Sequence, residues 1–399
     1  MAGELARIAE ARVVGPAGSA GLAPAGVTVI EAPLQPLWRF LWQARKLAVR
    51  EARRWKPDIV LAGSGLTAPL ARRAARACGA STAVYVHGLD VAVNNRLYQT
   101  LWFPAIRGMD RVIANSRATA GLCRGIGVDP LRISIVHPGV EIPRDLALSS
   151  GIARPPLPKG EGKHKAEAIR PLSPGDTGSD EGTAQPMDDF RERHGFANRP
   201  LLLSVGRLSA RKGLREFVAQ CLPPIVAARP DVMLLIVGDA PGQALHAEAQ
   251  TPESIQTAAN SAGVGRNIQF LGVITDYGKL GAVYRASSVH VFPVRNLPDD
   301  PEGFGMVAVE AAAHGLPTVA FATGGVVDAV SEGQSGHLVA AGDYMAFTGA
   351  VLQTLAARDI LRASCIAFAK SFAWPLFGAR LAAQLSSVIP ALPATVKPI

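Results

Sequence analysis

Short runs of apolar residues recur along the chain and alternate with segments long enough to form helices. Eight runs stand out: Asp58–Ala62, Thr82–Val86, Arg111–Ala114, Pro200–Gly206, Val232–Gly238, Ile268–Gly272, Val289–Phe292 and Thr318–Phe321. Apolar runs that end in polar or glycine-containing loops are typical of strands buried on both faces of a parallel sheet. The pattern predicts two doubly wound α/β domains, each with its functional loops at the carboxyl ends of its strands.

The two halves are separated by a segment without apolar periodicity. Residues 149–186 are rich in Pro, Gly, Ser and charge, which predicts a disordered insertion or linker. We therefore assign residues 1–148 to the first domain and residues 187–372 to the second. Trp374 and Pro375 predict a break before a last helix. Residues 373–399 are thus expected to form a C-terminal helix that can cross back to the first domain.

The length and composition of the chain fit an enzyme-sized globular protein. Its 399 residues are 48% apolar, enough for two cores, and no uncharged apolar run approaches the roughly 20 residues of a membrane-spanning helix. The start, MAGELARIAEARVVG, has acidic residues where a signal peptide would be basic. We expect a cytoplasmic protein, with peripheral attachment to the inner face of the plasma membrane as an option.

The excess of positive charge lies in the first half. Residues 1–150 hold 19 Lys and Arg against 10 Asp and Glu, within a chain of net charge +9. Read as a helix, residues 36–56 place Leu34, Leu37, Leu41, Ala44, Ala48, Ala52 and Trp55 on a stripe that packs on the sheet. A different face carries Arg39, Trp42, Lys46, Arg50 and Arg53. This face predicts docking on an anionic membrane or acidic acceptor, with an ordinary solvated helix as the alternative and no nucleic-acid site.

The segment from Glu302 to Gly325, EGFGMVAVEAAAHGLPTVAFATGG, carries the strongest functional pattern. An acidic residue and a Gly-Phe-Gly loop stand directly before a helix-forming run, Met306–His314. A helix that begins there directs free N–H groups and the positive end of its dipole at whatever lies in front, which favours phosphate. Glu310 lies about two turns into the helix, on roughly the same face as Glu302. One carboxylate can bind sugar hydroxyls and the other a ribose.

A basic loop follows the first strand of the second half. In SVGRLSARKG, Ser204 to Gly213, the strand ends at a glycine and is followed by Arg207 and Lys212. The planar fork of Arg can bind two phosphate oxygens, while Lys acts as a point charge. A solvated surface loop is the usual interpretation of such residues. Their position at a carboxyl strand end favours a diphosphate site.

Together these motifs resemble the retaining glycosyltransferases of family 4. Those proteins have the GT-B fold, in which two doubly wound, Rossmann-like parallel-sheet domains face a central cleft. The Glu-x7-Glu motif runs from Glu302 to Glu310. Further matches are VHGLD at Val86–Asp90, ANS at Ala114–Ser116, VHPGVEI at Val136–Ile142, VGDAPG at Val237–Gly242, FLG at Phe270–Gly272, GGVVDAV at Gly324–Val330 and SGHLV at Ser335–Val339. The glycine loops alone also fit a nicotinamide-dependent oxidoreductase, but no GxGxxG opens either βα unit.

The resemblance implies a role for each matching residue. Arg207 and Lys212 would neutralise the leaving diphosphate, Glu302 would bind donor-sugar hydroxyls and Glu310 the ribose. His87 would face the transferred sugar from the opposite domain, with a core histidine as the alternative. The other implied donor contacts are Gly206, Val273, Gly303, Phe304, Gly305, Met306 and Val307.

The sequence departs from the family at three places. The opening strand and its glycine-rich loop are missing before MAGELAR, so we expect either that the reading frame continues upstream or that this copy is impaired. The insertion at residues 149–186 is atypical. Val327 and Asp328 stand where Pro-Glu is commoner.

The predicted reaction needs no metal and no cofactor. Fixed cations and a helix terminus can stabilise the departing diphosphate, and the sequence has neither an Asp-x-Asp motif at a suitable place nor CxxC spacing among its four cysteines. The resemblance implies retention of configuration by same-face attack. Two alternatives stay open: a nucleotide-sugar epimerase on the same fold, and an inactive nucleotide-sugar-binding protein.

The substrates are predicted only by class. The run RNLPDDPEGFGMVAVEAAAHGLPTVAF is similar to bacterial mannosyl-type enzymes that build glycolipids or polysaccharides. GDP-mannose is therefore the first expected donor and UDP-glucose the second, with a glycolipid or polysaccharide acceptor.

Overall fold

A computed structural model describes residues 1–143, 187–240, 250–297 and 299–389 of the protein. The insertion predicted at residues 149–186 lies outside these ranges, as does the end of the VGDAPG motif. Within the described residues, no helix is both long enough and apolar enough to cross a bilayer. The chain forms two α/β domains whose sheets are parallel throughout, which confirms the predicted fold class.

The first domain contains six parallel strands in two separate sheets. The strands are β1 (Arg12–Pro16), β2 (Thr28–Ala32), β3 (Ile59–Ala62), β4 (Ser81–Val86), β5 (Arg111–Ala114) and β6 (Ile133–Ile135). Strand β1 pairs with β2, and the other four form a sheet in the order β3-β4-β5-β6. The helices are α1 (Ala2–Leu5), α2 (Leu37–Trp55), α3 (Ala68–Arg76), α4 (Gly88–Ala92), α5 (Arg96–Arg107) and α6 (Arg117–Gly125). The three strands predicted in this half are present as β3, β4 and β5.

A cavity of about 480 Å3 lies between the two sheets of the first domain. Residues of both β1 and β3 line it, together with residues of α1, α2 and α3. Within the described chain, β1 pairs with β2 alone and β3 with β4 alone, so each strand keeps one unpaired edge. Val14 and Leu61 are only half-buried here, whereas the neighbouring strand β4 is almost wholly buried. Unpaired edges of apolar strands are ready to pair with a further strand.

The long helix α2 packs on this domain through a face that overlaps most of the predicted stripe, in which Leu41, Ala48 and Trp55 are half-buried. Ala44 and Ala52 are buried as expected, but the aromatic ring that is buried with them belongs to Phe40. The prediction that Leu34 and Leu37 pack on the sheet is wrong: they are 51% and 42% exposed. Leu34 precedes the helix, which begins at Leu37, so it does not share the helical periodicity.

The second domain is built on one six-stranded parallel sheet. Its strands are β7 (Leu201–Val205), β8 (Met233–Val237), β9 (Ile268–Gly272), β10 (Val289–Phe292), β11 (Thr318–Phe321) and β12 (Gly336–Val339), in the order β12-β11-β10-β7-β8-β9. The helices are α7 (Met187–Arg193), α8 (Leu214–Gln220), α9 (Leu222–Ala228), α10 (Pro252–Ser261), α11 (Tyr277–Ala286), α12 (Met306–Ala313), α13 (Val326–Ala329) and α14 (Tyr344–Lys370). All five strands predicted here are present, and apolar clusters cover both faces of the sheet.

A last helix, α15 (Trp374–Ser386), lies on the first domain. Its residues Phe377 and Leu381 pack in one cluster with Tyr85 of β4 and Ile113 of β5. The chain thus returns to the first sheet after completing the second. Because α15 contacts the first domain while α14 belongs to the second, the link between them holds the two domains together.

Candidate active site

The cleft lies where the carboxyl ends of the two sheets face each other. Gly88, which follows β4, is so close to Gly303 that a Cβ atom added to Gly88 would lie 3.1 Å from the Gly303 Cα. A Cβ on Gly303 would lie 3.2 Å from Nδ2 of Asn115, which follows β5. Two loops of the first domain therefore contact the loop that carries Glu302. The absence of side chains on both glycines allows this close approach.

Glu302 is held by two cations from the basic loop after β7. Nη1 of Arg211 and Nζ of Lys212 donate to its Oε2 atom at 2.8 and 2.7 Å. Burial alone raises the pKa of Glu302, but the charges of Lys212 and Arg211 outweigh it and hold the pKa below its usual value. Within the described residues Oε1 accepts no hydrogen bond. Glu302 is thus an ionised carboxylate with one oxygen left for a ligand.

Lys212 is enclosed between this carboxylate and an aromatic ring. Its Nζ atom lies 4.6 Å from the centroid of the Phe292 ring. Burial lowers the pKa of Lys212, against the opposing effect of Glu302. The loop reaches this position because Gly213 has a φ of +67°, and a Cβ there would lie 2.1 Å from the Pro293 carbonyl oxygen. The Arg-Lys-Gly sequence therefore fixes the ammonium group in the floor of the cleft.

Arg211 is a site residue that the sequence interpretation missed. It is 6% exposed, and its Nε atom lies 3.2 Å from Oδ2 of Asp300 while Nη1 binds Glu302. The guanidinium group therefore joins two acidic residues of one loop. A sequence signal did exist, because Asp300 and Glu302 need cationic partners if they are buried, and Arg211 is adjacent to Lys212.

Arg207 differs from its two basic neighbours because it is exposed. It forms no ion pair within the described residues. Its charge is near enough to lower the pKa of both Lys212 and Glu302. Arg207 follows Gly206, whose carbonyl oxygen would lie 1.9 Å from a Cβ on Gly238 at the end of the neighbouring strand. The strand ends thus leave an open, positively charged rim.

Helix α12 begins in the middle of this arrangement. Gly305 precedes it with a φ of +95°, and a Cβ there would lie 3.0 Å from Cε1 of Phe292. The backbone N–H of Gly325 donates to the Glu302 carbonyl at 2.8 Å, and a Cβ on Gly325 would lie 2.1 Å from the Gly303 oxygen. The Gly324–Gly325 turn therefore holds the loop in place. Phe304 is buried, whereas Met306 and Val307 are half-buried at the helix start, where free N–H groups favour an anion.

Glu310 lies further along α12 and has its own partner. The hydroxyl group of Tyr284, from α11, donates to its Oε2 at 3.2 Å. Burial raises the pKa of Glu310, opposed by this hydrogen bond. Tyr284 therefore holds one oxygen of the Glu310 carboxylate. Val273, the other predicted donor contact, directly follows β9 and is 65% exposed.

His87 stands at the start of α4 on the first-domain side. It is exposed, so the core-histidine alternative is wrong. The carboxylate of Asp90 accepts a hydrogen bond of 2.8 Å from the His87 backbone N–H. The imidazole ring lies 5.2 Å from the Tyr85 ring in an edge arrangement. Asp90 thus orients the backbone of His87 and leaves the ring at the surface of the cleft.

Asp328, one of the atypical residues, links the domains. Its Oδ2 accepts from the backbone N–H of Arg117 at 2.6 Å, and its Oδ1 pairs with Nε of the same arginine. Arg117 also donates to the Val327 carbonyl at 3.2 Å. The backbone contact satisfies a free N–H at the start of α6. The departure from the family pattern therefore coincides with a bridge across the cleft.

Comparisons with known proteins agree on the class of protein. Residues 1–144 match the family described as "Glycosyltransferase Family 4", and residues 199–357 match "Glycosyl transferases group 1". Together the two matches take in both halves of the chain.

Curated relatives match over part of their length. A D-inositol 3-phosphate glycosyltransferase of Geodermatophilus obscurus is 32% identical over 270 residues, which are 66% of this chain and 50% of the relative. A GDP-mannose-dependent alpha-(1-6)-phosphatidylinositol monomannoside mannosyltransferase of Mycolicibacterium smegmatis is 34% identical over 206 residues, 49% of this chain and 50% of the relative. The chain spans about half the length of the curated relatives it matches.

Solved structures show the same fold at low identity. Anabaena HepE in complex with UDP superposes with a TM-score of 0.70 at 18% identity, over 95% of this chain and 100% of that chain. The complex of HepE with UDP-glucose superposes with a TM-score of 0.65 at 20% identity, over 90% of this chain and 86% of that chain. The fold is GT-B.

Proposed function

The chain belongs to the family 4 glycosyltransferases, and we propose that it transfers a hexose from a nucleoside diphosphate sugar to a lipid-linked or polysaccharide acceptor. The observation that carries the proposal is the arrangement around Glu302. Lys212 lies 2.7 Å from its carboxylate, the charge of Arg207 acts on both residues, and α12 begins three residues beyond the loop glycine Gly303. This arrangement places positive charge and an anchored carboxylate at one end of a cleft.

The positive groups would act on the leaving diphosphate. Cleavage of a sugar-phosphate bond develops negative charge on the phosphate, and preorganised cations and N–H groups stabilise that charge. Arg207 is the exposed cation, and it would bind the outer oxygens. Lys212 and the N–H groups of Met306 and Val307 would bind the inner ones. Within the described residues no three His, Cys, Asp or Glu side chains are grouped to hold a metal, and the proposed mechanism uses none.

The carboxylates would hold the donor rather than react with it. Glu302 is engaged by Arg211 and Lys212 through one oxygen, so its free oxygen would accept hydrogen bonds from sugar hydroxyls. Glu310, bonded to Tyr284, would bind the ribose with its second oxygen. His87 would contact the transferred sugar from the first domain. With no side chain assigned as nucleophile, we propose retention by same-face attack, in which the leaving phosphate assists deprotonation of the acceptor.

The donor is proposed to be GDP-mannose, with UDP-glucose as the second candidate. A relative of 34% identity is a GDP-mannose-dependent mannosyltransferase, which supports the first. Anabaena HepE has been crystallised with UDP-glucose, which supports the second candidate. At 20% identity, the similarity to HepE shows a shared fold and does not extend to the donor. A lipid-linked acceptor is supported by one relative, which is named a phosphatidylinositol monomannoside mannosyltransferase. The D-inositol 3-phosphate in the name of the other relative is neither a lipid nor a polysaccharide.

The two other hypotheses make different demands on the site. An epimerase needs an acid and a base that bracket one proton within reach. Glu302 fits that role poorly, because two cations hold its pKa low and occupy one oxygen. An inactive binding protein would keep the donor contacts and is favoured only by the unpaired edges of β1 and β3 within the described residues.

A donor-panel assay separates the three. The purified chain is incubated with GDP-mannose, UDP-glucose and related donors, with and without membrane extract as acceptor, and the nucleoside diphosphate released is measured. We expect release that depends on one donor and increases with acceptor. Isomerised donor without release would indicate an epimerase, and binding by calorimetry without either would indicate an inactive protein. The Glu302→Gln protein prepared in parallel is the control for contaminating hydrolases.

A further inference from the structure

The outward face of α2 combines large apolar and basic side chains. Trp38 and Trp42 are 71% and 48% exposed, and Leu34 and Leu37, before the helix and at its first residue, are 51% and 42% exposed. Positions 38, 42, 46 and 53 follow one another at helical steps of four, four and seven residues, which places them on one stripe. We call Leu34, Leu37, Trp38 and Trp42 the apolar tip. A group of exposed apolar side chains of this kind is typical of an interaction surface.

A basic groove continues from the apolar tip. It has a volume of about 720 Å3 and lies between α2 and α3. Seven cations line it, with Val49 and Ala77 as the only other residues: Arg45, Lys46, Arg50, Arg53, Arg54, Arg73 and Arg76. The sequence interpretation had found three of these cations; the contribution from α3 required the fold. Lys46 connects the two areas, because its Nζ lies 3.4 Å from the Trp42 ring centroid.

The apolar tip lies near the end of the strand that precedes α2. Helix α2 begins five residues after β2 ends at Ala32, so its first turn lies on the carboxyl-end side of that strand. His87 and Gly88 follow the carboxyl end of β4. Strand β2 is parallel to β1, and β4 is parallel to β3 and β5, so each feature lies at the carboxyl-end side of its own sheet. The groove extends from there towards the last turn of α2.

We propose that the apolar tip and the basic groove together dock the first domain on an anionic lipid bilayer. Tryptophan and leucine side chains enter the headgroup and acyl boundary, while cations beside them contact lipid phosphates. A soluble polyanion or a nucleic acid would use the groove but leave the apolar tip exposed to water. This interaction surface is independent of the proposed transfer reaction.

Vesicle sedimentation tests the proposal. The full chain is mixed with vesicles of phosphatidylcholine containing about a third phosphatidylglycerol, at low and high salt. We expect the wild type to sediment at low salt, with binding at least about tenfold weaker for Lys46→Glu/Arg53→Glu. Trp38→Ala/Trp42→Ala should also weaken binding and should abolish most of the blue shift in tryptophan fluorescence. Both pairs are exposed, so the fold should survive.

The matched control reverses two exposed arginines of the second domain. Arg229→Glu/Arg266→Glu changes the net charge equally and should bind vesicles like the wild type. An equal loss of vesicle binding in the two charge-reversed variants would overturn the proposal. Equal binding to vesicles with and without phosphatidylglycerol would overturn it too. Binding of inorganic polyphosphate or DNA in place of vesicles would also overturn it. Release of nucleoside diphosphate without lipid should be unchanged in all these variants, so failure here leaves the proposed transfer reaction standing.

Discussion

Arg211 Nη1 donates to Glu302 Oε2 at 2.8 Å and thereby joins two loops that lie 91 residues apart in the sequence. The same guanidinium group lies 3.2 Å from Asp300, so one cation serves two acidic residues of the Glu302 loop. This contact orients the carboxylate that the proposed donor sugar would meet. Lys212 binds the same oxygen atom and cannot by itself fix the direction of the other.

Replacing Arg211 by methionine should lower activity and shift its pH dependence. The pKa of Glu302 lies below its usual value partly through Arg211, so loss of this charge raises it. The acid limb of the rate profile should therefore move to higher pH, and kcat should fall by about tenfold or more as the carboxylate loses its orientation. Arg211→Lys should restore part of the profile. An unshifted acid limb in a folded Arg211→Met protein would limit Arg211 to a structural role.

Glu302→Gln and Arg207→Ala should each lower turnover by about a hundredfold or more, because each removes a charge directed at the reacting sugar or its leaving group. Arg207 is exposed and should be removable without loss of stability. Donor turnover and thermal unfolding are measured on the same preparations. Exposed Arg229→Ala is a suitable control, and near wild-type turnover in either site variant would remove that residue from the catalytic set.

Chelation with EDTA should leave the turnover unchanged. In the proposed mechanism the charge of the leaving group is neutralised by Arg207, Lys212 and the start of α12. The assay compares the rate before chelation, after it and after re-addition of magnesium or manganese. A loss that either metal restores would contradict the proposed mechanism.

His290 should make stability depend on pH. Burial, and to a smaller extent the charge of Lys212, lowers its pKa from 6.5 to about 3. Between these values the unfolded chain binds a proton that the folded protein excludes. Stability is therefore complete above pH 6.5 and is lost as pH falls, at about 1.4 kcal/mol per pH unit at most. Urea unfolding at pH 7 and pH 5 should show a smaller loss for His290→Gln than for the wild type. Equal losses would assign the effect to other groups.

A strand added before Met1 should fill the cavity between β1 and β3. An extension of about six β-branched residues with a glycine-rich loop matches the length of a typical strand. We expect it to slow backbone hydrogen exchange at Val14 and Leu61 by about tenfold or more and to raise the melting temperature. The same extension carrying two prolines cannot pair and is the control. Identical exchange in both fusions would show that the cavity does not accept a strand.

The sequence by itself determined the class of fold and the positions of the main chemical groups. Apolar runs of four to seven residues mark strands such as β4 and β8 because burial on both faces leaves no polar alternation. The Gly-Phe-Gly loop before Met306 marks a helix start because glycine tolerates the left-handed φ that Gly305 adopts. Such signals lie within short segments, so they can be recognised in the sequence without the tertiary structure.

Only the tertiary structure decided which groups meet. The sequence interpretation did not single out Arg211, because its carboxylate partners come from a distant loop. In the sequence, Asp328 is a departure from the family pattern. Only the fold shows that it binds Arg117 of the other domain. Leu34 and Leu37 fit a buried stripe when the segment is drawn as a helix. The helix of the structure begins at Leu37, and the first side chain that it buries is Phe40. Contacts between residues that are distant in sequence depend on how the sheets and domains pack. The periodicity of one segment shows which of its faces is apolar, but not which residues that face will contact.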